Sequence, residues 1–234
     1  DEYRFAKEEL HYISDVKELS EKLTGLRENA DNAENYVAYQ VDSVKDILDT
    51  NHFTEFRADV ARSIKEVHPL MMSDMFDKFN MCDALELVGF FACFTNVNVA
   101  DDKKNLVPTC KSAVRTLQMI EMAKERLDHY YNEECKRQIY SGENYDMHFD
   151  LADDAIKWCE LKTDAECEFF LLDLQKQKGI FIGEFVKAML KINAIAKELQ
   201  KVCETNGRTD IQFTLSQIGD LTLKSGCTSQ SLYV

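Results

Sequence analysis

The fold is indicated first by the stretch Gly183-Glu184-Phe185-Val186-Lys187-Ala188-Met189-Leu190-Lys191-Ile192. At about 100° per residue, the apolar residues of this stretch and of its continuation to residue 202 gather on one face of a helix. They are Phe185, Ala188, Met189, Ile192, Ile195, Ala196, Leu199 and Val202. A face of this width has to be buried against other elements. The pattern therefore predicts a long helix at about residues 182–202, with one side packed.

The composition of the whole chain indicates the same fold class. Of the 234 residues, 45% are hydrophobic and 30% are charged, which is enough apolar material for a substantial core. Only 8 glycines and 2 prolines are present, too few for the many turns of an all-β sandwich or barrel. We expect an all-α fold, a helical bundle of about nine or ten helices with an N-terminal helical arm.

Charge and cysteine content indicate the surroundings of the protein. A formal net charge of −14 repels polyanions, so any contact with nucleic acid has to be local. The eight cysteines form no Cys-x-x-Cys pair, which favours reduced, mostly buried thiols and an intracellular protein, cytoplasmic or nuclear. No apolar run reaches the ~18 residues of a membrane span, so no membrane partner is expected. The sequence begins with Asp1 rather than Met, which suggests part of a longer protein.

Periodicity divides the chain into a charged arm, residues 1–35, and a helical domain, residues 36–234. The arm carries a narrow apolar stripe at three- and four-residue intervals, suited to one helix partner. Asp31-Asn32 is expected to end the arm helix. A second helix should carry the apolar residues between 36 and 48 and end at residues 49–51.

The rest of the domain is predicted to be a succession of helices. They are expected at residues 56–66, 69–79 and 81–96, from Pro108 towards Tyr140, around Trp158, after a Thr163-x-x-Glu166 capping box, at 182–202 and at 210–224. The segment 81–96 is apolar on several faces, which predicts a central place in the core.

Four lysines share an arc of roughly 120° on the helix at 182–202, opposite its apolar face. They are Lys187, Lys191, Lys197 and Lys201. Between residues 176 and 208, seven basic residues stand against three acidic ones, a local charge of +4. A phosphate backbone would bind such a stripe. The simpler interpretation is a solvated helix face whose lysines give solubility.

No catalytic site is recognisable in the sequence. A Gly-x-x-x-x-Gly-Lys-Ser/Thr loop for nucleotide phosphates is missing, so this chain alone is not expected to hydrolyse ATP. The five histidines are scattered and none lies beside a candidate nucleophile. Asp153, Asp154 and Glu160 could form an acid and base pair. With 42 acidic residues in the chain, such clusters also arise by chance.

Several short motifs follow one another along the chain. They are Asp59-Val60-Ala61-Arg62-Ser63-Ile64, the apolar segment Leu85 to Phe94, Trp158-Cys159, the Gly-entered helix Gly183 to Leu199, and the terminal Ser231-Leu232-Tyr233-Val234. In this order they resemble the C-terminal helical domain (DSHCT) of superkiller-type, exosome-cofactor RNA helicases. The resemblance covers about residues 40–234. The sequence departs from the family at Asp59, where a basic residue is usual. It also departs at Lys187 and Lys191, which match positions that face the RNA channel in the family, because lysine cannot make the bidentate contacts of arginine.

The resemblance implies a non-catalytic module that packs on helicase ATPase core domains and guides single-stranded RNA for unwinding and decay. RNA would be bound by Lys187 and Lys191, with Lys197, Lys201 and Arg62 as further candidates. ATP and Mg²⁺ would belong to the ATPase domains, and exosome-like machinery would be a further partner. The arm would correspond to the descending part of the family's stalk.

A free-standing helical adaptor that binds partner proteins is the alternative. The helicase interpretation predicts a large exposed apolar surface where ATPase domains would pack, whereas an adaptor should show a smaller groove. The terminal Leu232-Tyr233-Val234 could pack against the rest of this domain, or serve as a ligand for a domain that binds C-terminal carboxylates.

Overall fold

The computed structural model describes residues 2–107, 109, 113–225 and 227, with the side chains of residues 2–10 and 32 left out. These residues form nine α-helices and two short 3-10 helices, and no strand occurs among them. The α-helices are α1 Glu2–Thr50, α2 Glu55–Ser63, α3 Pro69–Met75, α4 Ala84–Ala92, α5 Val114–Arg137, α6 Ala152–Glu160, α7 Asp164–Lys178, α8 Ile182–Asn206 and α9 Thr209–Thr222. The predicted all-α bundle is confirmed.

The contacts separate the chain into two units, Asp1–His52 and Phe53–Val234. The first unit contains α1. The predicted helix end at Asp31-Asn32 is wrong, because α1 continues through both residues. Asp and Asn are only mildly unfavourable inside a helix, and alanines flank them. The predicted end at residues 49–51 is confirmed, since α1 stops at Thr50.

The core of the second unit is centred on α4. Every residue of α4 except Leu85 and Glu86 is buried, and the helix packs against α5, α6, α8 and α9. Phe90 and Phe91 continue into an aromatic cluster through Phe79. The predicted central place of this segment is confirmed. The helix is shorter than the predicted 81–96, because an Asp83 capping box starts it at Ala84 and 3-10-type hydrogen bonds follow Ala92.

Helix ends elsewhere follow local signals. Thr54 caps α2, and Pro69 occupies the first turn of α3, which passes into a 3-10 helix at Phe76–Met81. The predicted start of the next long helix at Pro108 lies outside the described residues, and α5 begins at Val114. It ends at Arg137, short of the predicted Tyr140, because Gln138 adopts a left-handed conformation with φ 53°.

The C-terminal helices agree closely with expectation. Trp158 is fully buried on α6, and its Nε1 donates a hydrogen bond to the carbonyl of Thr222. The Thr163 capping box is confirmed at the start of α7. All eight residues of the predicted apolar face of α8 are buried, and Gly207 ends the helix in a left-handed conformation. The last helix, α9, packs along α8.

Candidate nucleic-acid interface

A groove of about 560 Å³ runs beside the first half of α8. One wall is α8 itself, and the other comes from the segment after α4 and from Glu66, which follows α2. The lining residues are Glu66, Thr95, Asn96, Asn98, Glu184, Lys187, Ala188, Leu190, Lys191 and Ala194. Because α8 is anchored in the core by its apolar face, this wall of the groove is rigid.

Lys187 and Lys191 lie side by side in the groove, one helical turn apart on α8. Lys187 is exposed and Lys191 is half-buried. Within the described part of the chain, neither ammonium group has a hydrogen bond or an ion pair. By contrast, Lys178 on α7 is bound by Asp154 at 2.5 Å. The two groove lysines are therefore available to an external anion.

Two carboxylates share the groove with these lysines. Glu184 accepts a hydrogen bond from Asn98 Nδ2 at 2.6 Å and one from the Phe181 N–H at 3.4 Å. Glu66 is exposed. With two acidic and two basic side chains, the lining has no formal net charge. A phosphate would have to bind close to the lysines, while the asparagine amides offer sites for uncharged polar groups.

Glu198 interrupts the cationic face of α8. On a helical wheel it stands about 20° from Lys187, in line with the two groove lysines. Its carboxylate accepts hydrogen bonds from the N–H groups of Lys65 and Glu66, at 3.0 and 3.3 Å. This contact attaches the segment after α2 to α8 and places Glu66 beside the groove. A count of net charge along the sequence could not show this arrangement.

The other predicted RNA-binding residues lie outside the groove lining. Lys197 and Lys201 are exposed on α8, about 80° and 40° around the helix from Lys187. Arg62 is exposed on α2 and forms an ion pair with Asp59. Asn96 and Asn98 were missed by sequence analysis because they follow α4 in irregular structure, where no periodic pattern marks them.

The acidic residues near Trp158 have structural partners. Asp154 is buried, and Lys178 and Lys157 contact its two carboxylate oxygens. Asp153 accepts a hydrogen bond from the Thr109 hydroxyl. These contacts hold α6 to its neighbours and leave no pattern typical of an acid and base pair.

Of the described cysteines, all but Cys135 are buried. Burial raises the pKa of the Cys159 thiol to about 12, so it stays protonated at neutral pH. The described residues include no group of histidine, cysteine and carboxylate side chains that could hold a metal ion.

No protein-family model matches this sequence, and a comparison with curated proteins finds no match either. The terminal motif, residues 231–234, lies outside the described residues. Among the described helices, none combines the length and the apolar character needed to cross a membrane.

Proposed function

We propose that this chain is a non-catalytic helical module of a superkiller-type RNA helicase, which packs on ATPase domains and guides single-stranded RNA past α8. The observation that carries the proposal is the groove in which Lys187 and Lys191 lie together without an intramolecular partner. The order of the short sequence motifs supports the choice of this family. ATP and Mg²⁺ would be bound by the ATPase domains, and exosome-like machinery would receive the RNA.

The chemistry of the groove suits a weak, sequence-tolerant contact. Phosphates would bind at the two ammonium groups, and riboses or base edges could bond to Asn96 and Asn98. The carboxylates of Glu66 and Glu184 would repel the phosphates of a second strand, so a single strand fits the groove better than a duplex. Weak binding allows a strand to pass through without being trapped.

Exposed apolar side chains give the ATPase domains a surface to pack on. On the second unit they include Tyr140 at 83% exposure, Phe169 at 73%, Leu172 at 63%, Phe181 at 61% and Phe213 at 71%. These side chains also favour the second candidate function, a free-standing adaptor that binds partner proteins. The two candidates differ in whether RNA binds at α8.

The test compares two charge-reversal variants of the same helix. Lys187→Glu/Lys191→Glu alters the groove, and the control Lys197→Glu/Lys201→Glu makes the same charge change outside it. Fluorescent single-stranded RNA is titrated at several salt concentrations, with helicity checked by circular dichroism. We expect weak binding by the native chain and a marked loss in the groove variant only. The slope of log K against log salt is negative, and its magnitude should decrease by about 1.4 in that variant, because two lysine–phosphate contacts are lost.

Two outcomes would contradict the proposal. An equal loss in both variants would mean that RNA responds to the general charge of α8. Absence of binding to every form would favour the adaptor.

A Lys187→Arg/Lys191→Arg variant should bind at least as well as the native chain, because guanidinium groups contact phosphates in a bidentate manner.

A further inference from the structure

Helix α1 carries a heptad repeat from Tyr12 to Ile47. The a positions are Val16, Leu23, Ala30, Val37 and Val44, and the d positions are Tyr12, Leu19, Leu26, Ala33, Gln40 and Ile47. We call this row the α1 seam. A repeat of seven with apolar a and d residues is the pattern of helices that wind around one another. The seam therefore fits the side of another helix.

Most of the α1 seam is exposed. The exposed fraction is 65% for Leu19, 70% for Leu26 and 66% for Val37, while Ile47 at the end of the row is buried. A long helix in water depends on burial of its apolar face for most of its stability. The exposed residues of the seam, which lie between Tyr12 and Val44 with half-buried Gln40 among them, therefore need a partner.

The charges of α1 are distributed in a way that favours a copy of itself. The outward f positions hold acidic residues, Glu21, Glu28, Asp42 and Asp49. The charged residues at the e and g positions, which flank the seam, are two acids and two bases. They are Asp15, Lys22, Arg27 and Glu34. The flanks are thus neutral, and two copies of this acidic helix can approach along the seam.

We propose that the α1 seam binds a second copy of α1 in antiparallel orientation, with the two-fold axis between residues 31 and 32. In this register Ala30 meets Ala33 of the second copy at the axis. Leu26 then meets Val37, Leu23 meets Gln40, and Leu19 meets Val44. The small central alanines let the two backbones come close, and larger residues fill the layers on either side.

The flanking charges select this orientation. Antiparallel pairing brings e positions together, so Arg27 meets Glu34 of the second copy on both sides of the axis. A parallel pair would bring Lys22 at g against Arg27 at e, which is repulsive. Like charges across a seam disfavour a pairing, and opposite charges set the partner orientation.

The register also agrees with burial along α1. Pairing from Leu19 to Val44 covers about 39 Å of helix. The next layer outward would require Ile47, which is already buried. The proposed contact therefore ends at Val44, the last exposed residue of the seam, and leaves Tyr12 and Val16 outside it.

The first test is the mass of the full chain at micromolar concentrations, measured by sedimentation equilibrium. We expect a dimer for the native chain. Leu26→Asp places a charge in the seam of both copies and should give monomers. Ala38→Asp adds the same charge at an exposed outward position and should leave the dimer intact.

The second test determines the orientation. Arg27→Glu should weaken dimerisation roughly tenfold, because two attractive pairs become repulsive. Arg27→Glu/Glu34→Arg should restore it. In a parallel dimer, Arg27→Glu would face Lys22 and strengthen the association, which would overturn the proposal. A native chain that stays monomeric would also overturn the proposal. The α1 seam would then be expected to bind a helix of another protein. Lys187→Glu/Lys191→Glu should not change the mass, so this proposal and the RNA proposal fail separately.

Discussion

His68 is a buried histidine whose surroundings keep it neutral. It is 3% exposed, its Nδ1 accepts a hydrogen bond from the Met71 N–H at the start of α3, and its ring stacks on Tyr130. Burial lowers the pKa of His68 to about 4, although the negative charge of Glu134 acts in the opposite direction. The imidazole thus acts at neutral pH as a helix cap and a packing group.

This low pKa makes the free energy of unfolding depend on pH. A histidine in the unfolded chain titrates near 6.5, so between about pH 6.5 and 4 the unfolded state binds more protons. The stability that neutral His68 contributes is complete above that window and is lost as the pH falls through it. We expect a loss of about 2–3 kcal/mol from this group between pH 7 and 4.5.

The comparison variant is His68→Asn, which retains a side-chain acceptor for the helix cap but does not titrate. Urea unfolding at a series of pH values should show a smaller acid loss in the variant than in the native chain. Parallel stability curves for the two proteins would show that His68 does not titrate differently in the folded state.

At the same scale, the two groove lysines were predictable and their neighbours were not. Lys187 and Lys191 belong to a regular helix, so a rotation of about 100° per residue is enough to place them on one side. Glu66 and Asn98 reach the groove from irregular segments, where position depends on tertiary contacts. The hydrogen bond between Asn98 and Glu184 joins residues far apart in the sequence.

At the scale of elements, the junction between α7 and α8 contains two glycines with opposite roles. Gly179 ends α7 in a left-handed conformation with φ 77°, where any residue with a Cβ is strained. Gly183 lies in the first turn of α8 with an ordinary helical backbone. A Cβ added at either position would meet open space.

Alanine substitutions at these glycines should therefore change stability in opposite directions. Gly179→Ala should lower the free energy of unfolding by about 1 kcal/mol, through backbone strain. Gly183→Ala should raise it by about 0.4–1 kcal/mol, because alanine loses less backbone entropy in a helix. Thermal and urea unfolding measure both changes, and a shift in the same direction for the two variants would refute this assignment.

Helix boundaries were predictable where a side chain acts on the nearby backbone. The Thr163 capping box and the glycine at 207 each use groups within a few residues, so the sequence contains the whole signal. The end predicted at Asp31-Asn32 was wrong because two polar residues do not by themselves stop a helix. A helix interior tolerates such residues when the pattern of apolar positions continues past them, as it does in α1.

At the scale of the whole molecule, the fold class followed from composition. A chain with few glycines and prolines and with apolar residues at helical spacing has few alternatives to a bundle. The groove was not predictable in the same way, because α2, α8 and the segment after α4 meet only in the folded chain.

The thiols offer a check of packing across the molecule. Of the described cysteines only Cys135 is exposed, and burial raises the pKa values of Cys82 and Cys203 to about 11 and those of Cys159 and Cys227 to about 12. In a Cys110→Ser background, we expect one thiol to react rapidly with a disulfide reagent. Adding Cys135→Ser should remove that reaction, and denaturant should expose the remaining thiols. Several fast thiols in the Cys110→Ser protein would mean that the core opens readily to solvent.

The central position of α4 has a consequence for synthesis on the ribosome. Its packing partners are α5, α6, α8 and α9, all of which follow it in the sequence, and the last ends at Thr222. At ordinary translation speeds the chain takes on the order of ten seconds to extend from Ala92 to that point. During this interval the native cover of this strongly apolar helix is incomplete. The nascent chain is thus a natural client for chaperones that bind exposed apolar segments.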